Sequence, residues 1–342
     1  MNIEQRGKAL ELLRRHPVID GHADTFLELQ GHEEAFFGPL NPGERHIDVG
    51  RMAEVGHNVQ VQALFTKEQC QDADALQFGL EFAVRFRRAL ELEANRSLSS
   101  PINLILTRRD LDRALEPGNL GFLFFMEGLT PIRDRLENVE AFFRLGLRGM
   151  TLTHNHGNAV TDGAGVDNPQ GLTQFGREVV RLMEELGITM DFAHCGEPGF
   201  WDAVRMARKP VINSHTGLRA FKGIPRNFSD DMCKAVADTG GVICLAYIPF
   251  FSGAGKDDER PATLDTLVQV FDYLINLVGV DHVGLGSDWD GFGEPYFEGL
   301  RHIGDEPNLI AALMSAGYDE ESLAKIIGGN MRRVLTENLA YS

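Results

Sequence analysis

Residues 121–127 read GFLFFME, an unbroken apolar run that ends in a carboxylate. A strand buried on both faces loses the apolar–polar alternation of a half-exposed one, a habit of parallel sheets covered by helices. The same kind of run recurs at Val18–His22, Val59–Phe65, Gly149–Thr153, Ile188–Ala193, Pro210–Ser214, Gly241–Tyr247 and His282–Gly286, which with Gly121–Met126 makes eight. Segments of helical period lie between them, among them Gln77–Glu93, Gly171–Leu186, Asp230–Asp238 and Thr263–Leu277. Repeated β-then-α units of this number predict an α/β chain folded as a (β/α)8 TIM-type barrel. An open doubly wound sheet is the alternative, but neither a G-x-G-x-x-G turn nor a single switch-point crevice is needed to place the residues that follow.

Those residues sit where the runs stop. His22 and Asp24 follow VID, Glu127 follows GFLFFM, His194 follows ITMDFA, His215 follows PVINS and Asp288 follows HVGLGS. In a parallel barrel the C-terminal strand ends converge on one mouth, so these distant positions are expected to meet there. Each signal alone is weak. With 11 histidines and 50 acids in the chain, one His-x-Asp pair arises readily by chance, and a lone strand-end histidine reads as well as a satisfied core residue. Jointly, imidazoles and carboxylates at one barrel mouth are a donor set for zinc-like divalent ions, which points to a metallohydrolase. His22, Asp24, Glu127, His194 and His215 exceed the roughly three protein ligands of a single catalytic zinc. If Glu127 bridges, one ion takes His22, Asp24 and Glu127 and the other takes Glu127, His194 and His215. A shared hydroxide then completes both, with the ions about 3.5–4 Å apart. The residual positive charge of such a centre favours a developing oxyanion, and hence attack on a carbonyl.

The remaining composition narrows the class. The chain has 342 residues, 43% hydrophobic and 24% charged, with a formal net charge of −17. That balance argues against nucleic acid or an anionic membrane as partner. No apolar stretch reaches the roughly 18 residues of a membrane span, and MNIEQRGKALELLRRHP reads as an amphipathic lead-in helix (about 3–15) rather than a secretory signal. The four cysteines, Cys70, Cys195, Cys233 and Cys244, show no CxxC spacing, so a cytoplasmic location is expected. We see no linker, and expect a single barrel domain over residues 1–342 with closing helices at about 306–339 and a tight turn at Gly328-Gly329-Asn330. Loops at Leu29–Asp48, Asn155–Gln170 and Ile248–Arg260 follow strands and are expected to shape the pocket.

In order along the chain, VIDGHADT, FMEG, MTLTHN, DFAHCG, NSHTG, PRNFSDD, GLGSDWDG and IIGGN resemble the membrane (renal) dipeptidase family of binuclear zinc dipeptidases, from Val18 to Asn330. The resemblance implies two zinc ions per chain, held by His22, Asp24, Glu127, His194 and His215 with Glu127 and a hydroxide bridging. It implies that His154 steadies the oxyanion beside the substrate carbonyl, that Arg226 grips the C-terminal carboxylate, and that Asp288 shuttles the proton and contacts the substrate. Tyr247, opening the Tyr247–Lys256 loop, is grouped with the substrate-binding residues. The resemblance further implies dipeptide substrates, with tolerance of a C-terminal D-residue, and a homodimer. Ala193, Glu184, His57 and Trp289 depart from the family pattern where serine, asparagine, glycine and phenylalanine are frequent. None of them is a predicted ligand, so the departures bear on pocket shape. Asp290 reads as a turn carboxylate, or one standing behind the ligands, rather than a second catalyst. His16, His32, His46, His57, His156, His282 and His302 are expected at the surface or behind the site, with His32 and His156, on mouth-side loops, the exceptions to look for.

Two other functions fit parts of the pattern. A related barrel amidohydrolase would act on an N-acyl amino acid, lactone or cyclic amide, although such enzymes often bridge their metals with a carboxylated lysine. A non-catalytic metal-binding barrel would have no use for Arg226 and Asp288.

Overall fold

The computed structural model describes residues 3–29, 32, 45–66, 72–91, 102–256, 258 and 260–341. Cys70, the end of the expected Gln77–Glu93 helix and most of the Leu29–Asp48 loop lie outside the described residues. The strands are β1 (Ile19–Asp20), β2 (Val59–Phe65), β3 (Ile102–Leu104), β4 (Leu120–Glu127), β5 (Leu147–Thr151), β6 (Thr189–Asp191), β7 (Ile212–Thr216), β8 (Val242–Leu245) and β9 (Val283–Leu285). All pair in parallel, and β2 joins both β1 and β4, which closes eight of them into a barrel. That closure excludes the open doubly wound sheet. The short β3, not anticipated from the sequence, pairs with the outer edge of β4 over three residues and stands outside the ring.

β4 shows why its sequence carries the fold. All eight of its residues are buried, and its full register with β2 runs from Val59 beside Gly121 to Phe65 beside Glu127. Period-two alternation sends Leu123 and Phe125 into the barrel, where they pack with Ile19, Val59, Val61, Ile212 and Val242. Phe122, Phe124 and Met126 join the outer layer, where Phe124 meets Phe82 and Phe86 at ring-centroid distances of 5.7 Å. Gly149 on β5 is obligatory beside this strand, because a Cβ there would fall within the Phe125 ring. Glu127 is next in the inward series, so the alternation that fills the barrel also delivers a carboxylate to its mouth.

The expected helices form, two of them with side-chain caps from Thr173 and Ser229. The helix predicted from Gly171 begins instead at Gln174, because the Thr173 hydroxyl accepts the Gly176 amide at 2.9 Å as an N-cap, and it ends at Gly187 in the left-handed conformation. The C-terminal segment holds two helices, Glu320–Ala324 and Asn330–Asn338, joined through Lys325–Gly329, where Gly328 leaves helical backbone (φ 177°, ψ −22°) and kinks the chain at the place expected for the turn. The last helix lies across the N-terminal end of the barrel. Asn330 donates to the carbonyls of Val280 and Val283, and Asn338 to that of Pro210, while Met331, Val334 and Leu335 plug the inner core.

His57 corrects one expectation: it is fully buried, between barrel and helices. Its Nδ1 donates to the Glu306 carboxylate at 2.9 Å and its Nε2 to the Val59 carbonyl at 3.1 Å. Two acceptors on one imidazole call for two N–H groups. Burial opposes that charge, but Glu306 overrides it and raises the His57 pKa above 6.5. Burial likewise raises that of Glu306, against the pull of His57. Breaking such a pair leaves one buried group unmatched. We therefore expect His57→Leu to cost about 3–5 kcal/mol in urea unfolding at pH 6.5, and a His57→Leu/Glu306→Leu variant to recover much of it. The folded state keeps these protons longer than the unfolded chain does. The stabilisation from His57 is therefore complete below pH 6.5 and lost as pH rises through the raised pKa, a slope that the double variant should lack. A single variant as stable as wild type would contradict this account.

Candidate metal centre

Each donor leaves the end of a barrel strand. His22 and Asp24 follow β1, Glu127 ends β4, His194 follows β6, His215 lies within β7, and Asp288 follows β9. His194 and Asp288 reach the mouth through left-handed backbone (φ 60° and 62°), a conformation costly for residues with a Cβ and held here by the strand ends around it. Asp20 is one such hold. Its carboxylate accepts the amides of His22 (3.0 Å) and Ser287 (2.9 Å), pinning the exits of β1 and β9 together.

The side chains converge on Glu127, which is 4% exposed. Glu127 Oε1 lies 3.0 Å from His194 Nε2 and 3.3 Å from His215 Nε2. Its other oxygen, Oε2, lies 3.7 Å from His22 Nε2, which in turn is 3.5 Å from Asp24 and 3.8 Å from Asp288. The two oxygens of one carboxylate thus face two separate donor groups. The His194 and His215 Nε2 atoms approach to 3.0 Å. His22 Nε2 and Asp24 Oδ1 are buried with no hydrogen-bond partner among the described residues. Imidazole nitrogens and carboxylate oxygens meeting without protons enough to satisfy one another fit divalent cations well.

The electrostatics agree. Burial, reinforced by Arg226, holds His194 and His215 well below the usual imidazole range, so both are neutral and able to ligate. Burial also works against a proton on His22, but Glu127, Asp24 and Asp288 outweigh it and raise its pKa to about 10. In the metal-free chain, positive charge is therefore drawn to the point where Asp24 and Glu127 face His22. Burial, with Asp24 and Glu127, lifts the Asp288 carboxyl to about 7 against the pull of His22 and Arg226.

The other predicted site residues divide. His154 belongs to the group, with a ring nitrogen near a Glu127 carboxylate oxygen and a His194 ring nitrogen; its ring stacks on His194 and lies tilted against Phe65, at 4.2 Å each. Arg226 is buried beside it. Its Nη2 donates to the His215 carbonyl at 2.9 Å, while Nε and Nη1 have no partner among the described residues. Tyr247 stands apart. It packs in the outer layer with Ile243 and Leu245 and meets Trp289 edge-on at 5.4 Å. After burial, the charges that raise its pKa are those of Glu306 and Asp20. Asp290 is the turn carboxylate expected, accepting the His46 amide at 2.7 Å and the Thr25 hydroxyl at 2.5 Å. His46, itself buried, returns a bond from the Asp290 amide to its Nδ1. His32 and His156 are exposed. Sequence reading missed Asp20, Asp191 and Asn155. The first two were detectable as carboxylates inside apolar strand runs, which burial obliges to find partners. Asn155 carried no such signal.

The family model for membrane dipeptidase (peptidase family M19) matches residues 6–341. The chain belongs to this family. Among curated relatives it is 34% identical over 230 residues to dipeptidase tcpJ of Claviceps purpurea, covering 67% of this chain and 53% of that protein. It is 28% identical over 346 residues to dipeptidase 3 of Mus musculus, covering 97% of this chain and 66% of that protein. The matches thus span only about half to two-thirds of these two relatives' own length. Among solved structures, a metallopeptidase from Rhodobacter sphaeroides, liganded with a phosphinate mimic of the dipeptide L-Ala-D-Ala, superimposes with a TM-score of 0.84 at 24% identity, covering 94% of this chain and 99% of that one. For a family of metallopeptidases a metal cofactor is implied, and the converging donors are where this dipeptidase-family chain can hold it.

Gly291 provides a check on that placement. A Cβ at this position would press on both Asp288 Oδ1 and Asp24 Oδ2. Gly291→Ala should therefore lower zinc affinity by about tenfold or more, while leaving the unfolding transition near that of wild type. Calorimetric titration showing unchanged affinity would separate Asp24 from the metal centre.

Proposed function

We propose that this chain is a zinc-dependent dipeptidase. In this reading His22, Asp24 and Glu127 hold one ion, Glu127, His194 and His215 hold a second, and Glu127 is shared. The observation that carries the reading is the division of the two Glu127 oxygens between two donor groups. When bound, the ions would act as Lewis acids that activate water and polarise the scissile carbonyl.

The chain's own residues supply the rest. Arg226 brings buried N–H groups that want an anion, which suits the C-terminal carboxylate of a short peptide. His154, held by stacking on His194, would donate to the carbonyl oxygen as it gains charge. Asp288, with a carboxyl near 7 in the metal-free chain, can accept a proton and return it to the leaving amine. The Rhodobacter protein's L-Ala-D-Ala mimic supports acceptance of a C-terminal D-residue here too. The shared group is a glutamate rather than a lysine, which favours the dipeptidase over the amidohydrolase alternative. A homodimer and a cytoplasmic location complete this proposal. Among the described residues, no helix is long and apolar enough to cross a membrane.

The test is hydrolysis of a panel of L,L and L,D dipeptides beside their C-terminal amides. We expect turnover of the free acids only, and a loss in kcat/KM equivalent to about 2–4 kcal/mol for Arg226→Met, the scale for a buried charged partner. Equal turnover of acids and amides would remove Arg226 from substrate recognition.

A second measurement isolates Asp288. Asp288→Asn should keep wild-type metal content while activity falls about 10²–10⁴-fold, the range for a positioned acid–base group. Loss of one ion would make Asp288 a ligand instead.

A further inference from the structure

Asp191 lies at the end of β6, fully buried, three residues before His194. Its carboxylate gathers four donors. Oδ1 accepts the amides of Ala193 (3.0 Å) and Ser214 (2.8 Å), and Oδ2 accepts the hydroxyls of Thr151 (2.6 Å) and Ser214 (2.5 Å). Three neighbouring strand ends, those of β5, β6 and β7, are thereby tied to one side chain.

The hydroxyl of Ser214 has a single proton, and a carboxylate surrounded by four donors can only accept. That proton is therefore committed to Asp191. Ser214 Oγ also lies 2.9 Å from His215 Nδ1, so at this contact the oxygen must accept and His215 Nδ1 must carry the hydrogen. The neutral imidazole then leaves Nε2 bare, and Nε2 is the atom that faces Glu127 and His194. His194 reaches the same state by a shorter route, its Nδ1 donating to Asn155 Oδ1 at 2.8 Å. Two bare nitrogens 3.0 Å apart repel each other, an arrangement that a cation relieves.

We propose that Asp191 is a positioning residue of the metal centre: acting through Ser214, it fixes the tautomer of His215 so that a bare Nε2 faces the site. This rests on the reading of the site as a metal centre. It is a relay with one more member than the usual carboxylate–histidine–metal arrangement, in which the carboxylate meets the imidazole directly.

The relay makes an unusual prediction for a nearly isosteric change. In Asp191→Asn the amide oxygen takes the place of Oδ1, where two backbone N–H groups require an acceptor, and the NH₂ group takes the place of Oδ2. It then donates to Ser214 Oγ, whose own proton turns to His215 Nδ1 and forces the hydrogen onto Nε2. Two readouts on the full chain test this: ¹⁵N chemical shifts of labelled histidine before zinc is added, which report the tautomer, and competitive zinc titration, which reports affinity. We expect wild-type His215 in the Nδ1–H form and Asp191→Asn in the Nε2–H form, with zinc affinity weakened about 10–100-fold at one of two sites. Ser214→Ala should weaken the same site, and adding Asp191→Asn to it should cost little more, because the relay is already cut.

A merely structural aspartate would leave the tautomer unchanged and its losses additive, and either result would overturn the proposal. If Asp191→Asn does not fold, Ser214→Ala decides alone: zinc affinity equal to wild type refutes the relay. A wild-type chain that takes up no zinc would instead defeat the metal reading, while the tautomers measured without metal would still judge the role of Asp191.

Discussion

The structure turns on a buried carboxylate. Glu127 is shut away from water at the mouth of the barrel, where an ionised acid is tolerable only if positive charge or strong donors surround it. Burial alone would raise its pKa, yet the positive charge of His22, foremost among its neighbours, holds it well below the ordinary carboxylate range. The imidazoles that face its other oxygen are short of protons, because burial drives His194 and His215 toward the neutral form. Neither side satisfies the other fully. Divalent metal would resolve both deficits, and for this reason we read the cluster as a metal centre rather than as a polar core.

The barrel exists in a form that serves this arrangement. Parallel strands bring six chain segments to one mouth, and the inward alternation of β4 presents Glu127 without any special turn. The other donors need more help. His194 and Asp288 occupy left-handed backbone, and buried aspartates stand behind them: Asp20 joins the exits of β1 and β9, and Asp191 joins those of β5, β6 and β7. Strain at the donors and carboxylates beneath them are parts of one device. At the opposite end, the Asn330–Asn338 helix seals the barrel, so the only polar gathering of this type among the metal-capable groups of the described residues is at the mouth.

Much of this was legible from residue order. Eight apolar runs with helical segments between them were enough for the barrel, because burial on both faces leaves a continuous signature. Donors at the ends of those runs were enough for the cluster, because strand ends in a barrel share one place. What escaped was set by tertiary contact. β3 pairs over only three residues, too short to register as a strand of the barrel. His57 looked like a loop histidine, and only its contact with Glu306, 249 positions away, makes it part of the core. Tyr247 follows a strand that points at the mouth, yet its ring is buried in the core and packs edge-on against Trp289. Ser214 read as an ordinary strand residue, since a hydrogen bond to a ligand's far nitrogen has no spacing of its own.

The most direct measurement of the central claim is the zinc content of the purified chain beside that of Glu127→Ala. If one carboxylate is shared by two ions, wild type should bind two per chain, and the substitution should lower occupancy of both sites together. One ion per chain in wild type, retained in Glu127→Ala, would contradict the account.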